Sequence, residues 1–257
     1  MNKIKLIKST LIFTVIGCIQ FLILTSLAMI FYPGGTRDNY YETKYNFLEN
    51  FFSDLGRVET FLGESNIISH SLFTTALTIV GLALIAYFII FPFFIKENKA
   101  AKWLSIIGSI NGIVSGINYI GIGFAPYDIR PEIGALHTNF VYIAFTSSIL
   151  TILLYTIAIF LEREYPNVYS WIFIIFGIIL VGYLIILYAG PSTSNYTGLL
   201  INVVGQKIII YSEIIFFGIQ SVGSILLLKK GYFSNNTNVT NQKFKEVENS
   251  NKIKNNI

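Results

Sequence analysis

Long runs of apolar residues without an acidic or basic side chain dominate the chain. A helix needs about 20 such residues to cross roughly 30 Å of hydrocarbon. The run between Lys8 and Arg37 satisfies this length, and so do the runs at residues 65–95, 103–127 and 133–161. Barrel strands would alternate between apolar and polar residues, whereas these runs are continuously apolar. The pattern therefore predicts four membrane-spanning helices.

A fifth uncharged run, at residues 165–206, is too long for one crossing. It is interrupted at residues 189–195 by Gly, Pro, Ser and Asn, which favour turns. We therefore predict a fifth span that ends near Gly190 and a sixth span at residues 208–228. The predicted fold class is an all-α, polytopic membrane helix bundle with six transmembrane helices.

The six spans are predicted to form one domain at residues 1–230. The segment at residues 231–257 is rich in Asn, Lys, Ser and Thr and has few apolar residues. Such a composition buries too little apolar surface to offset the entropy of folding. We predict that this segment is a disordered cytoplasmic tail.

Composition and charge distribution support a multi-pass protein of the cell membrane. Of the 257 residues, 53% are hydrophobic and only 12% are charged, about half the charged fraction of soluble domains. Thirteen of the 18 Lys and Arg residues fall at the two termini and in the second and fourth connections. Because short cytoplasmic segments carry the excess of Lys and Arg, both termini are predicted to be cytoplasmic.

Two further counts exclude classes of function. The net charge of +4 follows from this sidedness, so it does not indicate nucleic-acid binding. A single Cys excludes a disulfide framework and every multi-cysteine metal site. The partners predicted from composition are membrane lipids.

The third span carries a stripe of glycines, Gly108, Gly112 and Gly116, at four-residue spacing. Residues at this spacing share one face of a helix. Small side chains on one face let a neighbouring helix approach closely. The stripe is predicted to be a helix-packing surface.

The connection after the first span is the longest one on the predicted outer side. At residues 45–56, apolar side chains recur at helical spacing with polar residues between them. This pattern predicts a short amphipathic helix. Its polar residues are acidic, so we expect it to cap the bundle instead of binding anionic lipid.

Ionisable residues from four parts of the chain are predicted to lie at similar depth near the outer membrane boundary. Such groups are costly near lipid unless they pair or face water, so their convergence indicates one polar pocket. The cations expected to pair there are Arg57, Arg130 and Lys207. The candidates for chemistry in this pocket are Asp54, His70, Asp128, His137 and Glu213.

Short motifs surround these residues in a definite order. They are Ser53-Asp54-x-Gly56, then Asn66 and Phe73, then Pro126-x-Asp128 with His137, and last Gly205-Gln206-Lys207. The order resembles the six-helix membrane proteins grouped as domain of unknown function 998. A more distant likeness is to the autophagy-modulator and Sfk1-type membrane proteins, whose first outer loop has a similar Ser-Asp-x-Gly box. The resemblance spans about residues 53–228 and implies a fold and a topology.

Binding, sensing or assembly at a lipid surface is the first function hypothesis. In it, Asp54 and Asp128 pair with Arg57, Arg130 or Lys207, because buried charged groups are usually satisfied by partners. His70 and His137 are expected to donate to neighbouring backbone or side-chain oxygens. These pairs would hold the outer loops over the bundle. No cofactor is required on this hypothesis.

Two alternatives remain open from the sequence. In a metal-dependent hydrolase of outer-leaflet lipid, His70, Asp128 and His137 would hold zinc and leave a position for an activated water. In a transporter of protons or a small solute, Glu213 and Lys207 would mark the route. The sequence therefore leaves it undecided whether the protein is an enzyme.

Overall fold

The computed structural model describes residues 3–233, and that part of the chain is helical with no β-strand. Six of its helices are long and apolar enough to span a membrane. The predicted six-helix membrane fold is therefore confirmed. The helices are α1 (Lys3–Phe31), α2 (Ile67–Ile90), α3 (Lys99–Phe124), α4 (Pro131–Leu161), α5 (Val168–Ala189) and α6 (Tyr196–Lys229).

The six helices form a closed ring. Each helix packs against its neighbours in sequence, and α6 packs against α1. Short connections favour antiparallel neighbours, so loops alternate between the two ends of the ring. The end that holds residues 32–66, 125–130 and 190–195 is here named the loop face. The opposite end, which holds Lys3, residues 91–98 and Phe233, is named the terminal face.

Aromatic side chains fill the part of the ring interior that is nearer the terminal face. Phe91 stacks on Tyr155 with ring centroids 4.1 Å apart, and Phe88 meets Phe217 edge-on at 5.3 Å. Edge-on and offset arrangements are the favourable geometries for aromatic pairs. This aromatic core closes the ring interior on the side of the terminal face.

The glycine stripe of α3 lies against its neighbours, as a packing surface requires. A Cβ added at Gly112 would lie 2.5 Å from the Phe88 ring, and one at Gly108 would lie 2.7 Å from the Tyr155 ring. At Gly116 it would lie 3.0 Å from the carbonyl oxygen of Gly81 on α2. The absence of side chains on this stripe lets α2 and α4 approach α3.

The first connection differs from its prediction, because the amphipathic helix expected at residues 45–56 is shorter. A turn occupies residues 47–49, residue 50 is a bend, and a 3-10 helix follows from Phe52 to Gly56. The Asn50 side chain accepts the Asn46 amide at 2.9 Å, and Asp54 Oδ2 accepts the Phe51 amide at 2.8 Å. Such side-chain bonds to the main chain compete with α-helix formation.

The sixth span begins earlier than predicted. Its first residue is Tyr196, and the Asn195 side chain caps it by accepting the Gly198 amide at 2.8 Å. Glu213 therefore lies near the middle of α6, whereas the sequence placed it at the depth of the outer loops. That expectation of a common depth is wrong for Glu213.

The predicted tail at residues 231–257 begins with residues that pack against the bundle. Gly231 has a φ of 81°, which turns the chain back. The Tyr232 hydroxyl then donates to the Phe94 carbonyl at 2.6 Å, and the Phe233 ring lies 5.5 Å from the Phe94 ring. The prediction of disorder is wrong for these residues, and residues 234–257 lie outside the described part.

Candidate functional site

Phe52 anchors the first connection inside the ring of helices. Its side chain stacks on Phe21 of α1 at 5.8 Å and meets Phe73 of α2 and Tyr211 of α6 edge-on. Phe21 lies about 15 Å before the end of α1, at 1.5 Å per residue. The segment at residues 50–56, here named the plug, thus dips into the mouth of the ring.

Non-helical backbone at this depth must find hydrogen-bond partners within the protein, and α6 supplies two. Gln206 accepts the Phe52 amide at 2.8 Å, and the Lys207 ammonium donates to the Asn50 carbonyl at 2.5 Å. The Lys207 ammonium also lies 5.4 Å from the centre of the Tyr45 ring. Lys207 is buried, so its charge acts on the plug and not on solvent.

The start of α2 holds the other end of the plug. Ser69 donates to the Leu55 carbonyl at 3.1 Å, and the Asn66 amide group donates to the Arg57 carbonyl at 2.9 Å. His70 Nδ1 lies 2.8 Å from the Gly56 carbonyl oxygen, which accepts from it. His70 therefore binds backbone instead of a second titratable side chain.

Asp54 is the buried charged group of the plug. Its Oδ2 accepts from the Phe51 amide at 2.8 Å and from the Asn50 side chain at 3.2 Å. Burial raises the pKa of Asp54 from 3.8 to about 6, against the lowering effects of the Asn50 bond and of the Arg57 and Lys207 charges. The expected ion pair of Asp54 is replaced by these hydrogen bonds.

Asp128 fastens the second loop-face connection to the first. Its carboxylate accepts the Val58 amide at 3.0 Å and the Glu59 amide at 2.9 Å. Arg130 is exposed and does not pair with it. The expected pairing of Asp128 with a cation is therefore also replaced, in this case by two backbone amides.

The structure does not assemble the predicted zinc site. His137 Nδ1 lies 2.8 Å from the Ala125 carbonyl oxygen, so His70, Asp128 and His137 are each bound to a different stretch of backbone. Within residues 3–233, no group of three or more His, Cys, Asp or Glu residues is placed to hold a metal ion. Zinc would need three such ligands, which this arrangement does not supply.

A cavity of about 460 Å³ opens beside the plug on the loop face. Its volume lies within the range of small-molecule pockets. Its apolar lining consists of Phe51, Phe61, Tyr127, Val141, Tyr183 and Leu187. Its polar lining consists of Arg37, Ser53, Asp54, Arg57, His137, Thr138, Thr193, Asn202 and Gln206.

Two arginines of the first connection supply the positive charge of this cavity. Arg37 donates to the Thr193 hydroxyl at 2.6 Å, which joins two loop-face connections. The Arg57 guanidinium lies 4.1 Å from the centre of the Phe61 ring and donates through Nε to the Glu59 carbonyl. A guanidinium has five N–H donors, so both arginines keep donors for a bound oxygen.

A second, smaller cavity of about 20 Å³ leads deeper into the ring. It shares His137 and Gln206 with the larger cavity and is also lined by Tyr119 of α3. Its volume is enough for about one water molecule. The cavity lies between the loop-face site and Tyr119, which contacts the polar centre of the ring.

Glu213 forms that polar centre, outside the lining of the larger cavity. Tyr119 donates to one of its carboxylate oxygens, and Ser148 donates to the other at 3.2 Å. The Ser148 hydroxyl also lies 2.9 Å from that of Ser115. Glu213 is 1% exposed, and its two donors satisfy it without a cation.

The ring of six apolar helices, closed at one end by the plug, defines a multi-pass helical membrane protein. A family model described as protein of unknown function (DUF998) matches residues 15–211. The chain belongs to this family. No curated protein and no solved structure matches it.

Proposed function

We propose that the protein binds a membrane lipid in the loop-face cavity and acts as a lipid-binding or lipid-sensing component. The observation that carries this proposal is the division of the cavity lining between polar and apolar side chains. Arg37 and Arg57 offer donors to headgroup oxygens, whereas Val141, Tyr183 and Leu187 offer apolar surface to an acyl chain. A lipid has the same division, and this match favours it over a wholly polar solute.

The plug contributes to this function by shaping one wall of the cavity. Phe51, Ser53 and Asp54 line the cavity, while Phe52 fixes the same segment between α1, α2 and α6. A ligand that moves this wall would therefore also move contacts to three helices. Such coupling gives a binding site the means to sense its ligand.

Lipid retention in detergent tests the proposal. Val141→Trp places an indole in the cavity, and Ile143→Trp places the same indole on the exposed side of α4. We expect native mass spectrometry of the purified protein to show bound lipid on the wild type and on the Ile143 variant. The Val141 variant should bind lipid at least about tenfold more weakly, because a tenfold change in affinity needs a loss of only about 1.4 kcal/mol of binding free energy. Arg57→Gln should weaken retention without adding bulk. Equal retention by all four proteins would contradict the proposal.

Sidedness and location belong to the same proposal. We infer that the terminal face is cytoplasmic, because the excess of Lys and Arg lies on that face. We propose the plasma membrane as the membrane that the chain spans. In a Cys18→Ala background, Ser194→Cys and Asn167→Cys place thiols at exposed positions on opposite faces. An impermeant thiol reagent on intact cells should label only the Ser194 variant, and labelling of the Asn167 variant alone would reverse the assignment.

A route for protons or a small solute is the second candidate function. The small cavity favours it, because its lining includes Tyr119, which donates to Glu213. Flux in proteoliposomes would then depend on the Glu213 carboxyl. Unchanged flux in Glu213→Gln, compared with wild type, would remove the basis for this candidate.

A further inference from the structure

The terminal face holds a third cavity, of about 370 Å³, at the opposite end of the ring from the lipid site. Four lysines contribute to its lining: Lys3 from α1, Lys96 from the second connection, and Lys99 and Lys102 from the start of α3. The remaining lining is Phe93, Ile95, Trp103 and Phe233. The cavity thus combines concentrated positive charge with an aromatic wall.

The lysines are held around the cavity without being neutralised by its lining. The Lys96 ammonium donates to the Tyr232 carbonyl at 2.6 Å, and that of Lys102 donates to the Pro92 carbonyl. The Lys3 ammonium lies 4.3 Å from the centre of the Phe93 ring. Each ammonium has three donors, and the described hydrogen bonds of Lys96 and Lys102 each use one of them.

The carboxylates of Glu164, Glu162 and Glu97 lie near enough to Lys96 to act on its charge. Burial lowers the pKa of Lys96, and the carboxylates of Glu164 and Glu162 act in the opposite direction. The Glu162 carboxylate, however, accepts the Lys96 and Glu97 amides at 2.8 and 3.0 Å, and it does not line the cavity. Ammonium groups of like charge that share one cavity favour an anion between them.

We propose that this terminal-face cavity binds an anionic phosphate group, with the four lysines as its ligands. Lysine binds phosphate as a point charge, and several ammonium groups can share the oxygens of one phosphate. The cavity is large enough for a headgroup around the phosphate, and Trp103, which is 67% exposed, lies at a helix end where aromatic residues mark the membrane boundary. Basic pockets in this position suit the headgroups of acidic phospholipids.

Binding of phosphatidylglycerol and phosphatidylcholine with identical acyl chains tests the proposal on the full-length protein in neutral detergent. We expect tighter binding of phosphatidylglycerol. Lys3→Gln combined with Lys99→Gln removes two ligands, whereas Lys5→Gln combined with Lys8→Gln removes two exposed lysines outside the cavity. At about fivefold for each lysine, the first pair should weaken phosphatidylglycerol binding roughly 25-fold and the second pair should leave it unchanged.

A competition arm with inorganic phosphate separates the two sources of a phosphate group. Displacement of the lipid by inorganic phosphate at similar concentration would assign the site to free phosphate, and persistence of the lipid would assign it to a headgroup; both outcomes support the proposal. Equal affinities for the two lipids, or equal losses in the two double variants, would overturn it. Measured in the Val141→Trp background, which fills the loop-face cavity at the other end of the ring, either result is independent of the loop-face proposal.

Discussion

Asp54 is predicted to make the protein more stable at mildly acidic pH than at neutral pH. Burial raises its pKa from 3.8 to about 6 in the folded protein. A carboxyl group whose pKa is higher in the folded state binds more protons when folded, so the free energy of unfolding falls as pH rises through the interval between the two values. A difference of about two pKa units corresponds to about 3 kcal/mol.

Thermal unfolding of the detergent-purified chain between about pH 4 and pH 7 measures this effect. At 2–4 °C for each kcal/mol, the wild-type Tm should fall by about 6–12 °C across the interval. Asp54→Asn removes the titrating group and should remove this part of the slope, whereas Asp38→Asn, at an exposed position of the same connection, should retain it. Parallel Tm curves for the wild type and the Asp54 variant would refute the reasoning.

Two further predictions concern stability at neutral pH. Asp128→Asn removes the charge that accepts two backbone amides. Hydrogen bonds to a charged group contribute about 2 kcal/mol, so the Tm of this variant should fall by several degrees. An unchanged Tm would count against a stabilising role of these two bonds. Gly112→Ala places a Cβ 2.5 Å from the Phe88 ring and should cost about 1–3 kcal/mol through overpacking. Gly182→Ala, with nothing within 4 Å, is the matched control, and equal melting of the two alanine variants would contradict the tight contact.

The apolar parts of the spans follow from sequence because the cost of charge in hydrocarbon is independent of tertiary structure. Ends that carry no charge are harder to predict. No charged residue marks Tyr196 as the start of α6, and the first charge after it, Lys207, lies well inside the helix. Placing the boundary at Lys207 is what moved Glu213 to the wrong depth.

The plug shows a different reason for a wrong boundary. Apolar residues at 47–55 have helical spacing, but Asn50 and Asp54 bind the main chain locally, and Gln206 binds it from a distant helix. The distant contact has no signature in the local pattern. Sequence therefore located the segment and its residues without giving its conformation.

At the outer boundary, the backbone partners expected for His70 and His137 are confirmed. The cations expected for Asp54 and Asp128 are replaced by amide groups, and Glu213 lies outside the cluster. His70, Asp128 and His137 all lie on the loop face, and each binds backbone groups. Every residue has such groups, so the sequence does not indicate which residue supplies them. Arg37 and Tyr119 were missed altogether. An arginine in a loop and a tyrosine in an apolar span become notable only when a cavity lies beside them.

The closed ring restricts the order in which the protein can be assembled in the membrane. The plug hydrogen-bonds to residues 154 and 157 positions further along the chain, and these lie on α6, which is synthesised after the other five long helices of the described part. Until α6 has been inserted, the amide of Phe52 and the carbonyl of Asn50 lack these partners. A nascent chain that stalls before α6 therefore presents an open seam with unsatisfied backbone, a physical mark by which an incomplete molecule differs from a finished one.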